Sequence, residues 1–426
     1  MRGTSSRALL FVVIIAILLG PILSTQLAVR AGAPKEERMG AQRAAGPVGQ
    51  YVGPGGCAAS SCHGSVRAKR DTDINQDEYS IWILKDRHAT AYNVLSNPVS
   101  MRIGRILKIA KPSQEARCLA CHSLDPPPAL RAQSFDIDSG VSCENCHGPA
   151  SGWLGPHTTK NWNHKQSVEL GMVDMKGLIG RTDQCLTCHL GTQSKFVDHE
   201  LIAAGHPDLT FELNSFSAVM PRHWKMDRAK EPWEASKAWS VGQAEQLRKE
   251  MQRLEWRTQA QAWPEYAELD CFACHHSLTK PEDSWRQEVG YTGRRAGNVP
   301  WNNSRYAVFR QVVAERSPAD SQQLEEQLNS VYSHMSDLNP DRQKIAQSAN
   351  QAAAIAGRLA QQYEGQQFDQ ASTARLMRSI ADDSDHISRQ GERSAEQAVM
   401  AIDSLYTELA ANGAGGNTAE MRAAIN

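Results

Sequence analysis

An excess of charge of either sign is missing from this 426-residue chain: 46 Lys and Arg stand against 47 Asp and Glu, a net charge of −1. Such balance gives no reason to expect nucleic acid or a strongly anionic surface as partner. Aromatic residues are scarce as well, 6% of a chain that is 41% hydrophobic. That is thin for a large side-chain core and leaves room for something other than side chains in the interior. No cysteine is left over for an ordinary disulfide, because all ten fall into tight pairs: Cys57/Cys62, Cys118/Cys121, Cys143/Cys146, Cys185/Cys188 and Cys271/Cys274. None lies near the N-terminus, which excludes a lipoprotein anchor there.

A His follows the second member of every pair: His63, His122, His147, His189 and His275. Four pairs read Cys-x-x-Cys-His, and the first, Cys57-Ala-Ala-Ser-Ser-Cys62-His63, has four residues between its cysteines. The spacing has a chemical cause. Two vinyl groups on one haem edge each accept a thiol, two intervening residues set the thiols at the right separation, and the adjacent imidazole reaches the iron. Zinc is the competing reading, since a Cys-x-x-Cys pair supplies half of a tetrahedral site. Zinc gives no reason for a His directly after every second Cys. For the longer first motif, the alternative is a disulfide closing a small loop in an exported protein. We expect five covalent haem c groups, with the longer spacer bulging outward at the first.

The N-terminus carries Arg2 and Arg7, then an uninterrupted apolar run from Ala8 to Leu19, broken by Gly20-Pro21 and continued more weakly from Ile22 to Val29. Residues 1–29 are expected to be a signal peptide or an N-terminal membrane anchor, with a small-x-small site at Ala31-Gly32-Ala33. Either reading places the remainder on the extracytoplasmic, periplasmic side. Residues 30–50, rich in Gly, Ala, Pro and charge, read as a flexible linker. Residues 51–305 hold every attachment motif and all ten Trp, large flat side chains where flat cofactors must be packed. Within them, the spacing of Ile81, Leu84, His88, Ala91 and Leu95 predicts a helix over 77–95 with His88 on its buried face. Met101–Ile109 reads as a short amphipathic helix, and Val241–Ala262 as a polar one. Residues 317–426 lack Cys and Trp. Leu324, Leu328, Val331, Met335 and Leu338 mark one helix there. Asn339-Pro340 are expected to cap a second, which carries Ile355, Leu359 and Tyr363. Ala398, Ile402, Leu405 and Leu409 mark a last one. The fold expected is mainly α, a loop-rich multihaem cytochrome c domain with a C-terminal helical domain that packs on it or mediates oligomerisation.

Five irons with two imidazoles each need ten His. Beyond the five in the motifs the sequence holds nine: His88, His157, His164, His199, His206, His223, His276, His334 and His386. His157 follows the third motif in a Gly/Pro-rich loop. His199, His206 and His223 are spread through a cysteine-free stretch with no other evident task, and Ala-Gly-His206-Pro gives an irregular backbone suited to a haem edge. His276 directly follows a motif His and would more naturally point away or meet a propionate. His164 is a weaker candidate, and His334 and His386 read as surface residues.

The stretch Gly140-Val-Ser-Cys-Glu-Asn-Cys-His-Gly-Pro149 with His157 downstream, and Asp86-Arg-His88-Ala-Thr-Ala91 upstream, resemble motifs of the multihaem cytochromes that include cytochrome c-554 and hydroxylamine oxidoreductase. The resemblance covers about residues 51–305. It implies that His88 and His157, and with them His199, His206 and His223, ligate haems attached elsewhere in the chain. It also implies closely stacked haem pairs. The chain departs from the group in having five motifs, an expanded first one and no Cys-x-x-Cys-Lys site.

The function expected is electron transfer through mostly bis-His haems outside the cytoplasm, with redox partner proteins, a membrane redox complex among them, and without catalysis. The alternative is an oxidoreductase acting on a small nitrogen or sulfur oxyanion at one five-coordinate haem, with Arg87, Arg102 or Arg222 beside it. A third reading is an adaptor whose helical tail docks a membrane complex.

Overall fold

The computed structural model describes residues 49–72, 74–226, 231–275 and 299–416. The expected leader, nearly all of the linker, and His276 lie outside them. Among the described residues the fold is helical, sixteen α-helices joined by 3-10 turns, and the only extended pairings are the isolated bridges Tyr51–Arg131 and Leu269–Trp301. No described helix is long and apolar enough to cross a membrane.

The first half is built of short helices: α1 (Glu78–Lys85), α2 (Pro98–Ile106), α3 (Ala116–His122), α4 (Cys143–His147), α5 (His164–Glu169), α6 (Leu178–His189), α7 (His199–Ala203) and α8 (Leu213–Val219). Local chemistry sets their starts. Asn97 accepts the Ser100 N–H at 2.8 Å ahead of Pro98 at the first helical position, and Asp198 accepts the Leu201 N–H at 2.9 Å. Both are side-chain caps on donors that a helix N-terminus leaves unpaired.

The helix expected over 77–95 is interrupted. It stops at Lys85, Asp86 is extended, and His88 sits on a 3-10 turn, Arg87–Thr90. The cause is Asp86, whose carboxylate accepts the His88 N–H at 3.0 Å and so replaces a helical bond. His88 is therefore half-buried rather than on a buried helix face, and Leu84 is 79% exposed.

The second half is a bundle: α9 (Glu234–Gln259), α10 (Ser304–Ala307), α11 (Phe309–Arg316), α12 (Pro318–Met335), α13 (Arg342–Gly365), α14 (Gln370–Asp382), α15 (Ser384–Arg389) and α16 (Glu392–Ala411). The helix read as polar, α9, is the buried centre of this bundle. Trp239, Val241, Leu247, Met251 and Leu254 are fully enclosed, and so are Gln243, Glu245, Gln246 and Glu250. It packs along α13, where Ala349, Ala352, Ala356 and Ala360 let the two axes approach closely. Its other faces meet α6, α8 and α16. Gly242 makes the α8 contact possible, because a Cβ there would lie 2.7 Å from Leu213 Cβ.

The buried charges of α9 are paired across the bundle: Arg253 with Glu268 at 2.8 Å, Arg305 with Glu250 at 3.4 Å, and Arg248 with Asp183 at 2.7 Å. One apolar core runs from Leu178 and Leu186 on α6 through α9 to Leu405 on α16. It crosses the segment 305–317, where a domain boundary was expected. Two details of the C-terminal reading change. The α12 helix ends at Met335 and leaves Leu338 93% exposed. The cap of α13 is Asp341, which accepts the Lys344 N–H at 3.1 Å, rather than Asn339.

Candidate haem centres

Three of the motif histidines, His122, His147 and His189, close short helices as the last residue of α3, α4 and α6. The fifth motif forms a 3-10 turn, Cys271–Ala273, with the His275 N–H donating to the Cys271 carbonyl at 2.8 Å. The expanded first motif makes the same link: the His63 N–H donates to the Cys57 carbonyl at 3.2 Å. Its extra residues are taken up in a turn, with the Cys62 and Gly64 N–H groups both donating to the Ala59 carbonyl, at 2.8 and 3.0 Å. All ten thiols are free in the structure. Among the described residues no three His, Cys, Asp or Glu side chains converge on a metal-sized point, so the zinc reading finds no donor set there.

The fifth cysteine pair differs from the other four in its exposure. Cys271 and Cys274 are the two exposed thiols of the ten. The reason is local. The residue after the first cysteine is a buried anchor in the other regular motifs, Leu119, Glu144 and Leu186, whereas its counterpart Phe272 is only half-buried. The Cys274 N–H donates to the Cys271 carbonyl at 3.2 Å, closing a single turn that leaves both thiols at the surface. Cys271 still meets Arg393 Nη2 of α16 at 3.3 Å.

The structure brings motif histidines and candidate distal histidines together in pairs. His63 faces His157 with 6.2 Å between ring centres and 5° between planes. His189 and His88 are 6.3 Å apart at 81°, His122 and His206 are 6.3 Å apart at 85°, and His275 and His199 are 6.2 Å apart at 30°. A metal–imidazole bond of about 2 Å plus about 1 Å from nitrogen to ring centre, taken on both sides, gives roughly 6 Å. The four gaps thus have the width that one hexacoordinate iron would occupy.

Within these pairs Nδ1 is engaged on five of the eight rings, which leaves Nε2 as the ring atom that could reach a metal. The His63 Nδ1 meets Glu78 Oε2 at 2.9 Å and the His88 Nδ1 meets Asp86 Oδ1 at 3.0 Å. The His122 Nδ1 donates to the Ala91 carbonyl at 3.0 Å, the His157 Nδ1 to the Leu154 carbonyl at 2.5 Å, and the His206 Nδ1 to the Pro207 carbonyl at 2.7 Å. Such partners fix the tautomer and the ring direction of a metal-binding imidazole. The hydrogen-bonded carboxylates hold His63 and His88 above the usual imidazole range. Desolvation pushes His147 and His189 down to about 4, so both are neutral, the form that ligates. His189 also packs between Phe211 and Phe216, at 5.3 and 5.1 Å.

The third motif is the exception. Among the described residues no imidazole faces His147 at the spacing of the other pairs. His223 lies within electrostatic reach of His147, and its own Nδ1 meets the Pro221 carbonyl at 3.4 Å beside Trp224. Of the remaining histidines, His164 binds Asp174 at 2.9 Å, and His334 and His386 each lie near an aspartate of the bundle, Asp337 and Asp383.

Residues that the sequence reading did not single out hold the centres in place. Glu144, inside the third motif, is buried, and its carboxylate accepts the N–H groups of Val52, Gly53 and Ala150 at 3.0, 2.7 and 2.7 Å. It so ties the approach to the first motif onto the third. Gly140 has φ +68°, and a Cβ there would lie 2.7 Å from the His88 carbonyl, which itself accepts the Val141 N–H at 3.0 Å. Only glycine lets the turn that carries His88 dock on the loop into α4. Arg117 on α3 binds Asp198 at 2.5 Å, next to His199. Arg253 donates to the carbonyl after His189 at 2.8 Å while holding Glu268, just ahead of Cys271. Motifs also approach one another: the Cys57 thiol lies near enough to Cys143 to interact with it, and Cys121 likewise with Cys188.

Residues 57–148 match the family model of cytochrome c554 and c-prime. The match spans the first three motifs, His88 and Glu144, and supports a c-type cytochrome. No curated protein and no solved structure matches the chain. The paired thiols and the four imidazole gaps fit the haem c that such a cytochrome carries.

Proposed function

We propose that the chain is a multihaem c-type cytochrome that conducts electrons outside the cytoplasm. The five cysteine pairs would hold haem c through thioether bonds, with His63, His122, His147, His189 and His275 as ligands from the motifs. His157, His206, His88 and His199 would complete four of the irons. The observation that carries this reading is the set of four imidazole pairs at 6.2–6.3 Å. Each bound haem supplies one reversible iron(III)/iron(II) electron. The chain's own task is to hold both imidazoles so that redox change moves no ligand, and to keep neighbouring centres close. The proximity of Cys57 to Cys143 and of Cys121 to Cys188 supports stacked haem pairs. Export rests on the apolar N-terminal run.

A second reading has one observation in its favour. His147 has no facing imidazole at the spacing of the others among the described residues, which would leave that iron open to a small nitrogen or sulfur oxyanion. Absorption spectra of the reduced protein with and without carbon monoxide separate the two. Spectra unchanged by carbon monoxide support conduction alone, and a bound complex on about one haem in five supports an enzyme.

A further inference from the structure

The net charge of −1 conceals an uneven distribution. From Arg87 to Gln114 the sequence contains no Asp or Glu, yet it holds Arg87, Arg102, Arg105, Lys108 and Lys111, all five exposed. The 3-10 turn Asn93–Ser96, α2 and the 3-10 turn Pro112–Gln114 pack on one another. Arg102 and Arg105, three apart, share one face of α2. Lys108 adopts φ 59°, and the Ile109 N–H donates to the Gly104 carbonyl at 2.7 Å, so the chain turns back and keeps Lys108 and Lys111 on the same small unit. Exposed apolar side chains lie among these cations: Val94 at 37%, Val99 at 53% and Ile106 at 56%. An apolar centre with a charged rim is the composition of a transient protein interface.

The unit also abuts one redox centre from both sides. The Ala91 carbonyl, just before it, accepts the His122 Nδ1 hydrogen bond at 3.0 Å. Arg102 Nη2 lies 3.2 Å from where a Cβ on Gly205 would stand, directly before His206.

Resting on the haem reading above, we propose that residues 87–114 form the docking surface for an acidic one-electron redox protein, which exchanges its electron at the His122/His206 centre. One electron passes between that centre and the partner's redox group. One is oxidised as the other is reduced, and no bond is made or broken. A membrane surface fits less well, because α2 has only nine residues and presents no aromatic anchor.

The test compares the haem-loaded wild type with the quadruple variant Arg102→Gln, Arg105→Gln, Lys108→Gln, Lys111→Gln. Haem per chain is measured first by the pyridine haemochrome assay. Colourless protein would remove the haem reading and this proposal with it, whereas equal haem content isolates the docking question. The reduced proteins are then oxidised in a stopped-flow instrument by ferricyanide, an anion, and by a cationic cobalt(III) complex. At low ionic strength the variant should react about tenfold more slowly with ferricyanide, the difference should vanish at high salt, and the cationic oxidant should not be slowed. Polyglutamate should inhibit ferricyanide oxidation of the wild type alone. The control Arg102→Lys, Arg105→Lys should keep the wild-type rate. Identical ferricyanide rates in wild type and quadruple variant, or no polyglutamate inhibition, would overturn the proposal. So would charge-dependent sedimentation with vesicles containing phosphatidylglycerol, which would assign the surface to lipid.

Discussion

His63 and His157 stand with their rings nearly parallel, 6.2 Å between centres and 5° between planes, whereas His88 and His189, at nearly the same separation, are turned to 81°. Ring orientation at a bis-imidazole iron sets the splitting of its d orbitals. Low-spin iron(III) signals should therefore fall into two classes in electron paramagnetic resonance. Rhombic signals are expected from His63/His157 and from His199/His275 at 30°, and strongly axial ones from His88/His189 and from His122/His206 at 85°. Substituting His157→Ala should remove one rhombic component and create one carbon monoxide-binding haem, with the axial signals unchanged. Loss of an axial signal instead would show that the pairing is wrong.

Gly140 supports the His88 turn by having no side chain. Gly140→Ala places a methyl group 2.7 Å from the His88 carbonyl, at a backbone φ of +68°. A cost of roughly 1–3 kcal/mol is expected. The midpoint of denaturant unfolding should fall accordingly, and the axial signal of the His88/His189 pair should broaden or shift. An unchanged signal with unchanged stability would mean that the turn does not position His88.

Glu144 receives three backbone N–H groups from two separate segments. Glu144→Gln keeps the shape, removes the charge and replaces one acceptor oxygen by a donor. Hydrogen bonds to a charged acceptor contribute about 1.5–3 kcal/mol each, so a loss of at least about 2 kcal/mol is expected on unfolding. Hydrogen exchange should accelerate first at the Val52 and Gly53 amides. Equal exchange in the variant and the wild type would separate Glu144 from the first motif.

Burial pushes the Glu250 carboxyl up to about 7, against the attraction of Arg305 and Arg253 and with Glu268 raising it further. The folded protein therefore holds a proton that the unfolded chain releases near the ordinary Glu value of about 4.3. Between the two values the native state binds more protons. The stability tied to the neutral acid is complete below the lower value and lost as pH rises through the upper. Glu250→Gln mimics the neutral form. Its melting temperature relative to wild type should rise as pH goes from 4 to 8, corresponding to roughly 3–4 kcal/mol. A gap that does not change with pH would contradict this.

The cysteine pairs and the His after each are local in the sequence and so could be read there, and the structure does bring His88, His157, His199 and His206 up to motif histidines. Which imidazole meets which could not be read there, since His189 finds His88 across the fold. Nor did the spacing of Cys271 and Cys274 distinguish a surface pair from an enclosed one, because burial depends on what packs over Phe272. The Asp86 break escaped the periodicity because a capping carboxylate competes with the helix through a single side chain. The polar face of α9 was misleading for the same kind of reason. Glu250 and Arg253 look like surface charges until Arg305 and Glu268, distant along the chain, are placed against them. Glu144 reads as a spacer between cysteines, and only the folded Val52–Gly53 segment reveals its role.

The intact mass of the chain, expressed in cells competent for cytochrome maturation and washed with acid–acetone to remove unattached haem, tests the central claim most directly. A mass carrying five haem additions is expected, falling to four in Cys57→Ser, Cys62→Ser. A wild-type mass with no haem addition would contradict the account.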